Sequence, residues 1–181
     1  TKAMAVFGNP SSTHSHGREA NKLLRQARED IAKVLHTRSK NILFTSGGTE
    51  SNNTAIKGYA LHHQAQGKHI ITTAIEHHAV LEPVEYLVER FGFEATIVQP
   101  VDGQIRIEDI KSALRPDTIL VSVMAVNNEI GSIQPIQAIS EILADRPTIS
   151  FHVDAVQALA KIPTEKYLTD RVDFATFSSH K

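Results

Sequence analysis

Reactive side chains follow several apolar runs of the sequence. His77 and Asp154 each stand where one such run ends, and Lys181 follows another. In an open α/β sheet, ligands bind beyond the carboxyl ends of the strands. We therefore treat these side chains, with the glycines at 47 and 48, as candidates for one shared site.

Residues 44–53 are typical of a strand that passes through two glycines into a helix. Glycine lets a ligand approach the backbone closely, a helix N-terminus carries roughly half a positive charge, and the Thr49 hydroxyl can donate a hydrogen bond. These features suit a phosphate group. The same pattern is also typical of a tight turn with a helix cap, and it is neither a dinucleotide fingerprint nor a P-loop.

His77 and His78 lie where a predicted strand gives way to a helix. An imidazole there could stack on a ligand ring or transfer a proton. A metal site is an alternative, but adjacent strand residues point to opposite faces and the His-Glu-x-x-His spacing is missing. A solvated loop histidine is favoured over a metal ligand.

Asp154 closes an apolar strand, with His152 on the same predicted face and Gln157 three residues later. A carboxylate in this place could keep a buried pyridine nitrogen protonated, or it could cap a helix. Lys181 could form a Schiff base if its amine is neutral, although a lysine at a chain end is usually solvated.

Asn127 and Asn128 follow a further strand and offer amides to a carboxylate or a phenolic oxygen, or form a turn before Gly131. Each signal has an ordinary structural explanation when it is taken alone. Together, five strand ends supply the parts of one pocket for pyridoxal 5′-phosphate (PLP).

The elements that must position these residues alternate between strands and helices. Strands are predicted at residues 41–46, 69–75, 93–99, 118–126, 148–154 and 172–178, and helices at residues 15–35, 49–66, 79–91, 108–114 and 135–144. The alternation predicts an α/β fold, a mostly parallel sheet with helices on both faces.

Composition narrows the function classes. The 181 residues are 41% hydrophobic and 22% charged, which is typical of one folded domain. A net charge of −1 argues against binding to nucleic acid or to an anionic membrane surface. We expect a cytoplasmic protein, since the sequence shows neither a membrane-spanning run nor a secretory signal. The absence of cysteine removes disulfides, thiolate metal sites and thiol nucleophiles from these residues.

In this order the motifs resemble those of the NifS/IscS cysteine desulfurases, a branch of the class V aminotransferases with the fold-type-I architecture. The resemblance covers essentially the whole chain. The matching segments are residues 8–12 with 16–18, 45–51, 76–80, 126–131, 152–157 and 178–181.

The resemblance implies a role for each matching residue. Lys181 would carry PLP and His77 would stack on its ring, and these two are the expected catalytic residues. Asp154 would pair with the pyridine nitrogen, and Gln157 would bind the phenolic oxygen. Asn128 would lie near that oxygen and the substrate carboxylate. The phosphate would be held by Gly48, Thr49, Ser178 and His180. No metal ligand is expected.

The implied reaction converts L-cysteine to L-alanine and transfers the sulfur to an enzyme cysteine as a persulfide. Iron–sulfur cluster assembly or tRNA thiolation would follow. The implied partners are a second copy of the chain in a homodimer and a sulfur-acceptor or iron–sulfur scaffold protein.

The sequence also departs from a complete family member. It has no cysteine, and it lacks the family's opening strand with its Asn-Ala-Ala-Thr segment, a downstream arginine and the smaller C-terminal domain. We therefore interpret residues 1–181 as a partial PLP-binding large domain that is inactive alone. The alternatives are another class V enzyme, such as a selenocysteine lyase or an aminotransferase, a non-catalytic relative, and a metal hydrolase built on Glu76, His77, His152 and Asp154.

Overall fold

The computed structural model describes residues 2–181, which divide into two compact units at the Phe44–Thr45 bond. The first unit contains a 3₁₀ turn at Lys2–Ala5, helix α1 at Ser15–Val34 and a second 3₁₀ turn at Ser39–Asn41. His14 caps α1, because its Nδ1 accepts a hydrogen bond from the Gly17 N–H. The helix predicted at residues 15–35 is thus confirmed.

The apolar face of α1 is only partly covered within this unit. Gly17 and Ala32 are its buried residues, whereas Leu23, Ile31 and Val34 each remain more than a third exposed. The spacing of apolar residues therefore predicted the helix correctly, but the apolar side chains of α1 are less buried than such spacing usually indicates.

The strand predicted at residues 41–46 is wrong. Asn41 ends the 3₁₀ turn, and residues 42–45 have no regular secondary structure. The run Ile42-Leu43-Phe44 has strand propensity, but the Leu43 side chain is 69% exposed. Propensity makes a strand only when the segment also packs and pairs with neighbouring strands.

The second unit is an α/β fold with a parallel five-stranded sheet of order β2-β1-β3-β4-β5. The other five strand predictions are confirmed with shorter bounds. The strands are β1 His69–Thr73, β2 Glu94–Val98, β3 Thr118–Met124, β4 Ser150–Asp154 and β5 Phe174–Thr176. The helices are α2 Gly48–His63, α3 His78–Phe91, α4 Ile107–Ala113 and α5 Ile136–Leu143, and a 3₁₀ turn spans Thr164–Lys166.

Helices cover both faces of this sheet, as predicted. Successive strand residues point to opposite sides, so Ile70 packs in one cluster and Ile71 in another. The first cluster joins the strands to α2 and α3 through residues that include Ile56, Ala60, Val84, Leu87 and Leu120. The second joins them to α4 and α5 through residues that include Ile110, Val121, Ile139, Leu143 and Val153.

The chain reverses direction across the sheet at β1. From β1 it moves to β2 on one side, and it returns to β3 on the other side of β1. The segments that follow β1 and β3 therefore diverge, which opens a crevice at the carboxyl ends of these strands where α/β proteins bind ligands. In the described part of the chain, none of the helices combines the length and apolarity needed to cross a bilayer.

Candidate cofactor site

A cavity of about 240 Å³ lies at the carboxyl ends of the strands. This volume is slightly below the roughly 300–1,000 Å³ of typical small-molecule pockets. All nine residues predicted to bind the cofactor line it: Gly48, Thr49, His77, Asn128, Asp154, Gln157, Ser178, His180 and Lys181. The structure thus brings the predicted set together, while the role of each residue stays a prediction.

One wall of the cavity is the first turn of α2. The N-cap residue Gly47 has no side chain to cap the helix. No N-cap side chain therefore accepts a hydrogen bond from the first backbone N–H groups of α2. A Cβ atom on Gly48 would lie 3.1 Å from Cγ2 of Val156, so glycine allows the start of α2 to pack closely against Val156. The Ser178 hydroxyl lies 2.8 Å from Nδ1 of His180. These groups form an environment suited to an anion.

His77 is held in a defined orientation at the start of α3. It is the N-cap residue, and its Nδ1 accepts a hydrogen bond of 3.0 Å from the Ala79 N–H. A neutral imidazole that accepts at Nδ1 carries its proton on Nε2. His77 therefore offers the cavity an exposed ring with a donor at Nε2. The neighbouring His78 is the first residue of the helix.

Glu76 ties the segment after β1 to the end of β3. Its Oε1 accepts hydrogen bonds from the Thr73 hydroxyl at 2.6 Å and from the Met124 N–H at 2.8 Å. Its Oε2 is buried and has no hydrogen-bond partner among residues 2–181. Burial raises the pKa of Glu76 to about 8, so this carboxyl is mostly protonated at neutral pH.

Asp154 is the buried carboxylate of the cavity. Its Oδ1 accepts a hydrogen bond of 3.0 Å from the Val156 N–H, and its Oδ2 accepts one of 2.8 Å from Nδ2 of Asn52. Burial raises the pKa of Asp154, against the hydrogen bonds from Val156 and Asn52 and the nearby imidazole of His77, which lower it. A cation in the cavity would complete the stabilisation of the ionised form.

The residues present fit PLP. The cofactor is an aromatic ring with an aldehyde, a phosphate and a basic ring nitrogen, and it needs an amine, an anion site and a carboxylate. The cavity offers Lys181, the start of α2 and Asp154, which is 4% exposed, on its walls. His77 adds an imidazole that can lie against a ring.

Two predicted contacts look different in detail. The Gln157 side chain, predicted to reach the phenolic oxygen, has its Oε1 2.6 Å from Nζ of Lys161. Asn127 stabilises its own loop. Its Nδ2 donates a hydrogen bond to the Ile75 carbonyl, and its Oδ1 accepts hydrogen bonds from the N–H groups of Glu129 and Ile130. Asn128 is the exposed one of the pair and lines the cavity.

The sequence analysis missed Asn52, which also lines the cavity. It is 1% exposed and lies on the buried stripe of α2 at four-residue spacing from Ile56 and Ala60. A polar residue on an apolar helical stripe must find a hydrogen-bond partner inside the protein. That signal could have identified it.

The alternative of a metal hydrolase has little support in the geometry. Within residues 2–181 there is no group of three or more His, Cys, Asp or Glu side chains that could hold a metal ion. The His152 ring is fully buried, with Nδ1 2.8 Å from the Ser122 hydroxyl, and burial lowers its pKa to about 3.

Comparison with known families gives one match along almost the whole chain. The sequence profile of the family described as "Aminotransferase class-V" matches residues 3–181. A curated relative named "Cysteine desulfurase IscS", from Dictyoglomus turgidum, is 53% identical over 179 residues, which cover 97% of this chain and 44% of the relative. The chain therefore spans less than half the length of that relative.

Two solved structures share the fold. One is titled "NIFS-LIKE PROTEIN" and superposes with a TM-score of 0.90 at 42% identity, over 99% of this chain and 50% of its own. The other, titled "SspA in complex with cysteine", has a TM-score of 0.89 at 36% identity, over 99% of this chain and 52% of its own.

Proposed function

This chain belongs to the class V aminotransferase family, and we propose that it forms the PLP-binding part of a cysteine desulfurase that converts L-cysteine to L-alanine. The observation that carries the proposal is the single cavity lined by Lys181, Asp154 and His77 together with the glycine-led start of α2. The names of the relatives support the choice of reaction, and the relative solved with cysteine supports the choice of substrate.

Two groups of cavity residues would share the binding of the cofactor. The free N–H groups at the start of α2, with Thr49, Ser178 and His180, would hold the phosphate. Asp154 would hold the protonated ring nitrogen. PLP, when bound, supplies an electron sink that stabilises negative charge at the substrate Cα.

Proton movement falls to two side chains. Lys181 would hold the cofactor, and its amine would move a proton at the substrate Cα. His77 presents Nε2–H to the same cavity because Nδ1 is engaged by the Ala79 N–H. Asn128 would bind the substrate carboxylate.

Sulfur transfer needs a thiolate that attacks the substrate sulfur. The Cβ–S bond breaks, the carbon takes a proton to give alanine, and the new S–S bond forms a persulfide. The 181 residues contain no cysteine, so the accepting thiol belongs to sequence outside them. A homodimeric enzyme and delivery of sulfur to a scaffold or acceptor protein belong to the same proposal and rest on the family resemblance. A cytoplasmic location, expected from the sequence pattern, is also part of the proposal.

A comparison of two ligands tests the binding part of this proposal. Titration of the protein with PLP, followed by visible absorbance, is expected to show saturable binding. Pyridoxal, which lacks the phosphate, is expected to bind at least about tenfold more weakly, because each charge-assisted hydrogen bond contributes roughly 1.5–3 kcal/mol. Equal affinity for the two ligands would contradict the phosphate site at α2.

A sulfide assay tests the assignment of the thiol. With PLP, L-cysteine and a reductant, these 181 residues are expected to release no sulfide beyond a control without protein. Sustained release would contradict a requirement for a cysteine in other sequence.

A further inference from the structure

Three buried side chains from different elements form a hydrogen-bonded chain that ends at the carboxylate of Asp154. The Thr176 hydroxyl on β5 lies 2.5 Å from Oδ1 of Asn52 on α2, and Nδ2 of Asn52 donates to Oδ2 of Asp154 at 2.8 Å. The three residues are 5%, 1% and 4% exposed, respectively. Water therefore cannot easily substitute for either contact.

The hydroxyl fixes which way the Asn52 amide points. When Thr176 donates to Oδ1, the NH₂ group must face Asp154. An amide NH₂ can only donate, and it stabilises a carboxylate more than a carboxylic acid. The flipped amide would place Oδ1 against the carboxylate oxygen, which is unfavourable when Asp154 is ionised.

We propose that Asn52, oriented by Thr176, is a positioning residue that keeps Asp154 ionised and turned toward the ring nitrogen of the cofactor. This inference rests on the proposed function for its cofactor. The contact between Asn52 and Asp154 is a property of the chain itself. Asn52 does not need to touch PLP to act, because it acts through Asp154.

Charges and donors around Asp154 come from each element packed against it. Burial raises the pKa of Asp154, and the opposing groups are the Val156 N–H, Asn52 and His77. Glu76 is also close enough to interact with Asp154, but its own raised pKa keeps it mostly neutral at neutral pH. Asn52 is the side chain that donates a hydrogen bond directly to Asp154 in the described structure, so its loss should shift the titration of Asp154 upward.

Asn52 could instead be a core residue with no role beyond packing. It lies on the same stripe of α2 as Ile56 and Ala60, so its substitution could simply loosen the helix. Thr176 separates the two explanations. Thr176→Val removes the hydroxyl with little change of shape, and Thr176→Ser keeps the hydroxyl.

The experiment measures the titration of Asp154 in the protein without added cofactor, by ¹³C NMR of the aspartate carboxyl carbons. Asp154→Asn identifies the resonance. Asn52→Leu, which keeps the volume, is expected to raise the pKa of Asp154 by about 1–2 units, since a hydrogen bond to a charged group contributes roughly 1.5–3 kcal/mol. Thr176→Val should shift it in the same direction by less, and Thr176→Ser should leave it unchanged.

One control variant and one fallback keep the result decisive. Asn53→Leu changes the adjacent amide, which donates to the Thr49 carbonyl instead of Asp154, and it should not move the titration. An unchanged Asp154 titration in folded Asn52→Leu and Thr176→Val would overturn the proposal. If Asn52→Leu does not fold, the comparison of Thr176→Val with Thr176→Ser still tests the proposal.

A second readout uses PLP labelled with ¹⁵N in the ring. In Thr176→Val the ring nitrogen is expected to lose its proton at lower pH than in Thr176→Ser. Failure of every protein to bind PLP would refute the proposed function and would leave the Asp154 titration as the test of Asn52. Binding with identical nitrogen titrations in the two variants would count against the positioning role.

Discussion

The free energy of unfolding of Glu76→Gln, compared with that of the wild type, should increase as the pH rises. Glu76 has a buried Oε2 without a partner in the described structure, and its Oε1 accepts from Thr73 and Met124. Glutamine keeps an oxygen for these two donors and places a neutral NH₂ where Oε2 lies. The substitution therefore removes the ionisation and changes the shape very little.

The magnitude follows from the two pKa values of Glu76. Burial raises the pKa from 4.5, the ordinary value, to about 8 in the folded protein. A raised pKa gives stability that is fully present below pH 4.5 and is lost as the pH rises through about 8. The loss is about 1.4 kcal/mol per pH unit. Between about pH 5 and pH 7, Glu76→Gln should gain about 3 kcal/mol relative to the wild type.

Urea unfolding at several pH values, read by circular dichroism, measures this difference. Other groups titrate in both proteins, so their contributions cancel in the comparison. A constant difference between the two unfolding free energies from about pH 5 to pH 8 would show that Glu76 is ionised in the folded state and would refute the argument.

Three further predictions concern separate contacts. His152→Phe should lose less stability than the wild type on acidification. Burial lowers the pKa of His152 from 6.5 to about 3, so the stability that the neutral ring gives the folded protein declines as the pH falls below 6.5. Urea unfolding at about pH 7 and pH 5 measures the difference. Asn127→Ala should lower the unfolding free energy by about 2 kcal/mol, because one amide satisfies three backbone groups; an unchanged urea midpoint would contradict this. Asp154→Asn should weaken PLP binding roughly 10- to 100-fold in an absorbance titration, and unaltered affinity would argue against the ring-nitrogen contact.

The sequence allowed the sheet and the composition of the site to be predicted for physical reasons. β-Branched runs of buried parallel strands are distinctive, and the carboxyl ends of such strands meet at one edge. Asp154 and Lys181 could therefore be placed in one pocket from strand ends alone. The strand prediction at residues 41–46 was wrong because the segment has the propensity of a strand, whereas its large apolar side chains Leu43 and Phe44 remain exposed.

The contacts that tune the site could not be predicted in the same way. Asn52 meets Asp154 across 102 positions and Thr176 across 124 positions, and such contacts depend on how α2 lies over the sheet. Glu76 was considered only as a possible metal ligand, whereas its hydrogen bonds join two segments that are distant in sequence. Side-chain rotamers, such as that of Gln157 toward Lys161, are likewise set by local packing.

If the proposed function is correct, this cavity holds PLP through one particular lysine, Lys181. The direct measurement is borohydride reduction of the protein after PLP is added, followed by mass spectrometry of its peptides. We expect one reduced adduct at Lys181, lost in Lys181→Arg and retained in Lys111→Arg on the exposed side of α4. Adducts spread over several surface lysines, and equally abundant in Lys181→Arg, would contradict it.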